Sequence, residues 1–422
     1  MSDTTRKIAS NTIYQIIGKA VSLSITVLTT IIVTRAYGRM GYGAFSLMQT
    51  WPALFFIIVD FGINAIAVRE LSKDFSKASK YFGNILLMRI FFSLFLILIL
   101  GIALLFFPYS TSLKFGITLG LLLILMQGLF TTTNIIFQVK LRYDLSTIGY
   151  LIGYGVILTL VLILSFLRIN ITWVNFSYVV GGLITFVVNL HLVQKLGVHP
   201  DFKIRWDIWR FLFINSLPLG LMFIFSQINF KSDSIILSVS KLPIKYGLNN
   251  TETVAVYALS YKIFEVALVV PTFFMNSVYP VLVQHMMEGK EKLKKTFMRS
   301  LAFLAVSSAF CGIIGIILSP FAIYVLGGRE FTQSVLILQI LIGGLILYYL
   351  TQPIAWLIVT LGKQKYLPYI YLTSAIFNVA GNILFIPKYS FYASAVVTHL
   401  SELLILVLLT IFALKSWKEK YA

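Results

Sequence analysis

Seven ionisable side chains interrupt long apolar runs: Lys19, Asp60, Arg89, Lys231, Asp233, Lys262 and Glu265. A charge at the centre of a bilayer costs about 2.5 kcal/mol or more, so such a residue faces a cavity or a partner. The set leans cationic, and a partly wet cationic cavity attracts an anionic cargo. Lys19, Arg89, Lys231 and Lys262 are therefore the expected cargo contacts, and Asp60, Asp233 and Glu265 the candidates for coupling or gating. Two structural readings stand beside these. Lys262 and Glu265 are three residues apart on one helix and can pair with each other, and Arg89 can instead snorkel to the headgroups.

Helical spacing assigns faces to these charges. Asn11, Gln15, Lys19, Ser22, Thr26 and Thr30 follow at steps of 4, 4, 3, 4 and 4, a single polar stripe. The stripe is either a cavity wall with Lys19 projecting into it or hydroxyl-rich packing between helices. In LPLGLMFIFSQINFKSDSIIL, Asn215, Met222, Ser226, Asn229 and Asp233 share a face. Lys231 lies about 200° from Asp233 and sides with Gln227 and Ser234. The two charges of that run therefore serve different neighbours. Pro218 removes one backbone hydrogen bond, which suits a moving helix and is also tolerated structurally.

The elements that position these residues are membrane spans. Of 422 residues 59% are hydrophobic and 12% charged, against about 25% charged in soluble domains. Runs long enough to cross roughly 30 Å of hydrocarbon as helix recur from end to end. Twelve are expected, near 10–34, 42–67, 82–107, 115–138, 149–167, 173–194, 209–240, 254–283, 298–326, 334–360, 366–386 and 391–413. Runs such as IFFSLFLILILGIALL are apolar on every face, which excludes a barrel with a polar lumen. The basic N-terminal stretch runs into an apolar segment without a small-residue cleavage site, so it reads as a retained first helix.

Basic residues alternate between the two sides. Arg69, Lys73, Lys77, Lys80, Lys140, Arg142, Lys195, Lys203, Arg205 and the cluster Lys290 to Arg299 share a side with both termini. By the positive-inside rule that side is cytoplasmic. The connection KLGVHPDFKIRWDI is the expected boundary between residues 1–197 and 209–422, with 198–208 as linker. GYGAFSLMQTW and VAVYALSYKIF echo each other across it, as a parallel repeat of two six-helix lobes would. The basic stretch 284–299 reads either as a solvated positive-inside loop or as a contact for anionic lipid or a glycosyltransferase.

Several function classes drop out. The lone Cys311 allows no intramolecular disulfide, and four histidines make no metal-ligand cluster. The dispersed basic residues fit no nucleic-acid motif. No HExxH, GxGxxG or Walker pattern occurs, so no catalytic residue, no metal and no ATP site is expected. A transporter, a channel or a scaffold remains.

YGAFSLMQTWPALFFIIVDFGINAIAVREL, DSIILSVSK with VAVYALSYKIFEVALVVPTFFMNSVYPVLVQ, and FNVAGNILFIPKYSFYASAVVTHLSELLILV resemble the oligosaccharide flippases of bacterial polysaccharide biosynthesis. These belong to the multidrug, oligosaccharidyl-lipid and polysaccharide exporter superfamily. The motifs are diffuse, but their order spans nearly the whole chain: Tyr42-Gly43, Asp233 followed by Tyr257, Pro280, and Asn378, Asn382 and Pro387. The resemblance implies an all-α fold of twelve helices in two lobes around a central cavity. It also implies alternating access in the inner membrane and export of undecaprenyl-pyrophosphate-linked oligosaccharide to the outer leaflet, for O-antigen, capsule or exopolysaccharide. The four intramembrane cations would then offset the diphosphate, Gln15, Ser22, Thr26, Asn11 and Asn229 would line the cavity, and Asp233 would position helices or couple to protons or sodium. No cofactor is implied beyond such an ion. The implied partners are the bilayer, glycosyltransferases and a polysaccharide polymerase. The competing readings are an organic-cation antiporter of the same superfamily, which would want an acidic cavity, and a non-transporting scaffold, which would need no buried charges.

Overall fold

The computed structural model describes residues 3–421, with side chains from Tyr14 onward apart from Ile16. Without water in hydrocarbon, backbone N–H and C=O groups must be satisfied within the segment, and these apolar runs accordingly fold as helices. The described residues contain no strand. They form α1 (Asp3–Asp60), α2 (Ile63–Lys73), α3 (Ala78–Leu105), α4 (Thr111–Gly120), α5 (Leu122–Val139), α6 (Tyr143–Phe166), α7 (Ile171–Lys195) and α8 (Trp206–Val239). There follow α9 (Asn250–Ala267), α10 (Val269–Glu288), α11 (Lys290–Gly327), α12 (Gln333–Gly343), α13 (Leu345–Thr360), α14 (Leu367–Tyr389) and α15 (Phe391–Tyr421).

Eleven helical stretches are long and apolar enough to cross a membrane. The first, 57 residues from Ile17 to Lys73, is far longer than the roughly 20 residues one crossing needs. Gly38, at φ 62° and ψ −165°, breaks it into two crossings, which gives the twelve expected. On α3, Phe91, Leu94, Phe95, Leu98, Ile102 and Leu105 are exposed, while Arg89, Ser93, Leu100 and Leu104 are buried. An apolar stripe of that length left bare is intelligible only against lipid tails. This is an all-α polytopic membrane protein.

The chain divides into two compact units, 1–224 and 225–422, and the division falls inside α8. In the first unit α6 and α7 approach closely. The sequence GYLIG puts Gly149 and Gly153 one turn apart, and a methyl at Gly153 would sit 2.8 Å from the Gly181 carbonyl oxygen. Small residues spaced this way let membrane helices touch backbone to backbone. In the second unit α9 starts with a capping box: Asn249 accepts from the Glu252 N–H, and Glu252 accepts from the Asn249 N–H. Asn250 next to it donates to the Leu237 and Ser240 carbonyls and fastens that start to the end of α8.

The connection between α7 and α8 is docked rather than loose. Asn84, fully buried near the start of α3, donates to the Lys203 carbonyl at 3.1 Å and accepts from the Arg205 N–H at 2.9 Å and Trp209 Nε1 at 3.1 Å. Gly83 makes room, since a Cβ there would lie 2.1 Å from the Asp201 carbonyl oxygen. That contact is with backbone and cannot be relieved by a side-chain rotation. Gly83→Ala should therefore lift the connection, and trypsin should cut after Lys203 and Arg205 about tenfold faster than in the wild type, as an undocking cost of roughly 1.4 kcal/mol requires. Unchanged cleavage would show that the connection does not depend on this contact.

Candidate functional site

In the first unit Arg89 and Asp60 form one cluster. The guanidinium is fully buried and reaches the Asp60 carboxylate at 2.6 Å. Its other nitrogen donates to the Gly128 carbonyl at 2.9 Å, Thr131 at 2.6 Å and Thr132 at 2.9 Å, and Asn64 accepts a further bond at 3.0 Å. Asp60 closes α1, where Phe61 at φ 43° ends the helix, so the pair ties α1, α2, α3 and α5 together. Arg89 does not snorkel. Its cationic head is spent on these partners, and what the geometry does is hold four helices around a neutralised charge.

Lys19 is placed differently. With Gln15 and Ser22 it lines a cavity of about 280 Å³, the far wall of which is built by Asn134 of α5 and Tyr143, Tyr150 and Tyr154 of α6. These three residues of the first-helix stripe line a cavity within the first unit. Thr26 and Thr30 instead turn back on the carbonyls one turn earlier, Ser22 and Thr26, and Asn11 lies outside the described side chains. The tyrosines were missed by sequence reasoning because aromatics in an apolar run read as packing. The available signal was the doubled Gly-Tyr of GYLIGY: each glycine seats on α7, and each tyrosine, one residue on, points away from that seam.

In the second unit the two charges of α8 go separate ways, as the spacing predicts. Lys231 Nζ meets Glu265 of α9 at 2.5 Å and lies 5.7 Å from the centre of the Tyr261 ring. Lys262 reaches the other oxygen of the same glutamate at 3.8 Å. The three side chains keep 23%, 41% and 30% exposure for Lys231, Lys262 and Glu265. The i, i+3 pairing is present, but Glu265 holds Lys231 more closely than Lys262. Two lysines thus converge on one partly exposed carboxylate.

Asp233 points to the opposite side and is buried. It accepts from the Tyr257 hydroxyl at 2.5 Å, from Thr398 at 2.8 Å and from Asn382 Nδ2 at 3.2 Å. Asn382 also donates to Asn378, Asn378 to Ser401, and Ser374 links the Ser401 carbonyl to Asn229. Asn229 is therefore a member of a buried network joining α8, α14 and α15. Asn382 Oδ1 and Ser394 Oγ are buried there without a hydrogen-bond partner. The carboxylate thus collects two hydroxyl donors and one amide N–H, and as a hard oxygen group it suits a proton or a hard monovalent cation. Among the described residues no group of three or more His, Cys, Asp or Glu is placed to hold a metal ion. Glu402 was overlooked in the sequence: this acid in the middle of α15 is buried and accepts from Thr351 at 2.6 Å. Its signal was plain, a carboxylate inside SELLILVLL.

A family model described as polysaccharide biosynthesis protein matches residues 8–286, and a second, described as MatE, matches residues 242–384. A search of the curated proteins finds no match. Among solved structures, the chain is similar to an inward-facing multidrug resistance transporter of the MATE family and MOP superfamily. The TM-score is 0.76 at 11% identity, over 94% of this chain and 96% of that one. It is also similar to the lipid II flippase MurJ, with a TM-score of 0.72 at 15% identity over 97% and 89%. A MOP superfamily transporter from Pyrococcus furiosus, described as having a binding pocket of reverse polarity, gives 0.68 at 14% over 97% and 96%. At such identities these likenesses speak for the fold, the twelve-helix, two-lobe architecture of those transporters.

Proposed function

Since the chain belongs to the polysaccharide biosynthesis protein family, we propose that it is a flippase carrying undecaprenyl-pyrophosphate-linked oligosaccharide to the outer leaflet of the inner membrane, for surface polysaccharide assembly. The observation that carries this reading is the convergence of Lys231 and Lys262 on Glu265 within the apolar spans. An oligosaccharide head taken uncompensated into hydrocarbon costs on the order of several kcal/mol per polar group, so unassisted transfer is prohibitively slow. A diphosphate adds charge that two lysines offset. Glu265 holds them in place until the cargo arrives, and the diphosphate then competes with it for Lys231. Arg89 contributes from behind, by fixing Asp60 and the α1 end. Lys19 faces its own cavity and adds a further cation. Asp233 and its hydrogen-bond partners couple the step to a proton or sodium gradient, alternating exposure of the two faces moves the cargo, and both termini are cytoplasmic. Glycosyltransferases and a polymerase supply and consume the glycolipid.

The test is translocation of a lipid-linked oligosaccharide in proteoliposomes. Wild type should move it, and Lys231→Ala should slow it about tenfold or more, the value of one charge-assisted contact of roughly 1.5–3 kcal/mol. The competing reading is an organic-cation antiporter of the same superfamily, favoured by the MatE match and by the buried acid Asp233. A wild type that expels organic cations and leaves the glycolipid in place under proton, sodium and voltage gradients would establish that reading instead.

A further inference from the structure

The cavity of the first unit has a composition that diphosphate binding does not explain. Its α6 wall carries Tyr143, Tyr150 and Tyr154 at steps of 7 and 4, one helical face. Tyr150 and Tyr154 stack on each other with centroids 6.3 Å apart and planes 30° apart, and Phe130 meets Tyr150 edge-on at 5.7 Å. The rings are half-buried, so their remaining faces look onto the cavity. Aromatic stacks that only filled a helix interface would leave no space beside them.

The polar atoms around this stack are oriented. Ser146 donates to Asn134 Oδ1 at 2.7 Å, and Asn134 Nδ2 donates to the Tyr150 hydroxyl at 2.7 Å. The Tyr150 oxygen is thus an acceptor in the chain, and its own proton has no acceptor among the described residues. Gln15 and Lys19 stand on the opposite wall with further donors. A flat apolar face, a spare hydroxyl proton and an amide complement a sugar ring, which has an apolar C–H face and a rim of hydroxyls.

We propose that this cavity is a subsite for one or two sugar rings of the cargo, with Tyr150 and Tyr154 as its stacking platform and the Tyr150 hydroxyl as a donor. The proposal rests on the flippase reading. At about 280 Å³ the cavity falls just short of the roughly 300–1,000 Å³ of small-molecule sites. It therefore takes a ring or two of the head group and not the whole glycolipid.

The experiment measures binding to purified protein in nanodiscs with two probes, undecaprenyl diphosphate and undecaprenyl diphosphate carrying a disaccharide. Tyr154→Ala should weaken the sugar-bearing probe about tenfold and leave undecaprenyl diphosphate within about twofold, while Tyr154→Phe, which keeps the ring, should bind both as wild type does. Lys231→Ala should weaken both probes. Equal affinity of Tyr154→Ala and wild type for the sugar-bearing probe overturns the subsite and leaves the flippase reading standing. Equal weakening of both probes, with Tyr154→Phe also impaired, assigns Tyr154 to packing and likewise overturns it. A wild type that binds neither probe removes the flippase reading and the subsite together.

Discussion

Arg89→Leu should leave little folded protein, and the double variant Arg89→Leu/Asp60→Leu should recover most of it. Arg89 is fully buried and bonded to Asp60, Asn64, Thr131, Thr132 and the Gly128 carbonyl. Removing the cation alone strands the Asp60 carboxylate against apolar helices, and breaking a buried pair this way costs about 3–5 kcal/mol. Replacing both partners with apolar groups of similar volume removes the stranded charge together with its partner, which is often close to neutral. The measurement is the yield of monodisperse protein in detergent with its melting temperature. A poorly folded double variant would mean that the remaining hydroxyl and carbonyl partners, not Asp60, set the cost. The same double variant separates positioning from cargo binding. If it folds and still translocates glycolipid, Arg89 acts on the helices alone. If it folds and is inert, the pair also serves transport.

Asp233→Asn should abolish the dependence of transport on an ion gradient while leaving the protein folded. The buried carboxylate collects three donors, from Tyr257, Thr398 and Asn382, and an amide keeps one acceptor oxygen for them while losing the charge and the second acceptor. Asp233→Leu is the harsher control: Thr398 can still donate to the Ser394 carbonyl and Asn382 to Asn378, but the Tyr257 hydroxyl loses its acceptor, at roughly 1–3 kcal/mol, and the variant should accumulate less than Asp233→Asn. In proteoliposomes, imposing a sodium or proton gradient should accelerate the wild type about tenfold and Asp233→Asn not at all. Such a change corresponds to a coupling free energy of roughly 1.4 kcal/mol, within the usual range. Undiminished stimulation in Asp233→Asn would limit the residue to holding α8, α9, α14 and α15 together.

The spans were legible in the sequence because hydropathy is a property of each run by itself. So was the parting of Lys231 and Asp233, since 100° per residue fixes faces on a single helix. What each face meets was not legible. The partner of Arg89 lies 29 residues earlier and those of Asp233 lie up to 165 residues later, and a helical wheel carries no information about which neighbour is packed against it. The first-helix stripe divided for a related reason: a threonine can satisfy its hydroxyl on the preceding turn, as Thr26 and Thr30 do, whereas Lys19 has no such outlet. Tyr150 and Tyr154 went unnoticed because an aromatic residue is equally at home in lipid, in a core and beside a ligand. Glu402 went unnoticed for a lesser reason, the apolar weight of its surroundings.

The placement of the unit boundary inside α8 bears on how the protein can be cut. A gene split in the connection between Gly197 and Arg205 would look natural, yet residues 206–224 belong with the first unit. There Phe213 stacks on Phe61 at 5.2 Å, and Gly220 is pressed against the same ring. An amino-terminal fragment ending in the connection would bare Phe61, and one ending after Ser240 would carry off Lys231 and Asp233. No loop offers a clean seam, so a cut on either side of α8 takes from one unit a part of its own packing.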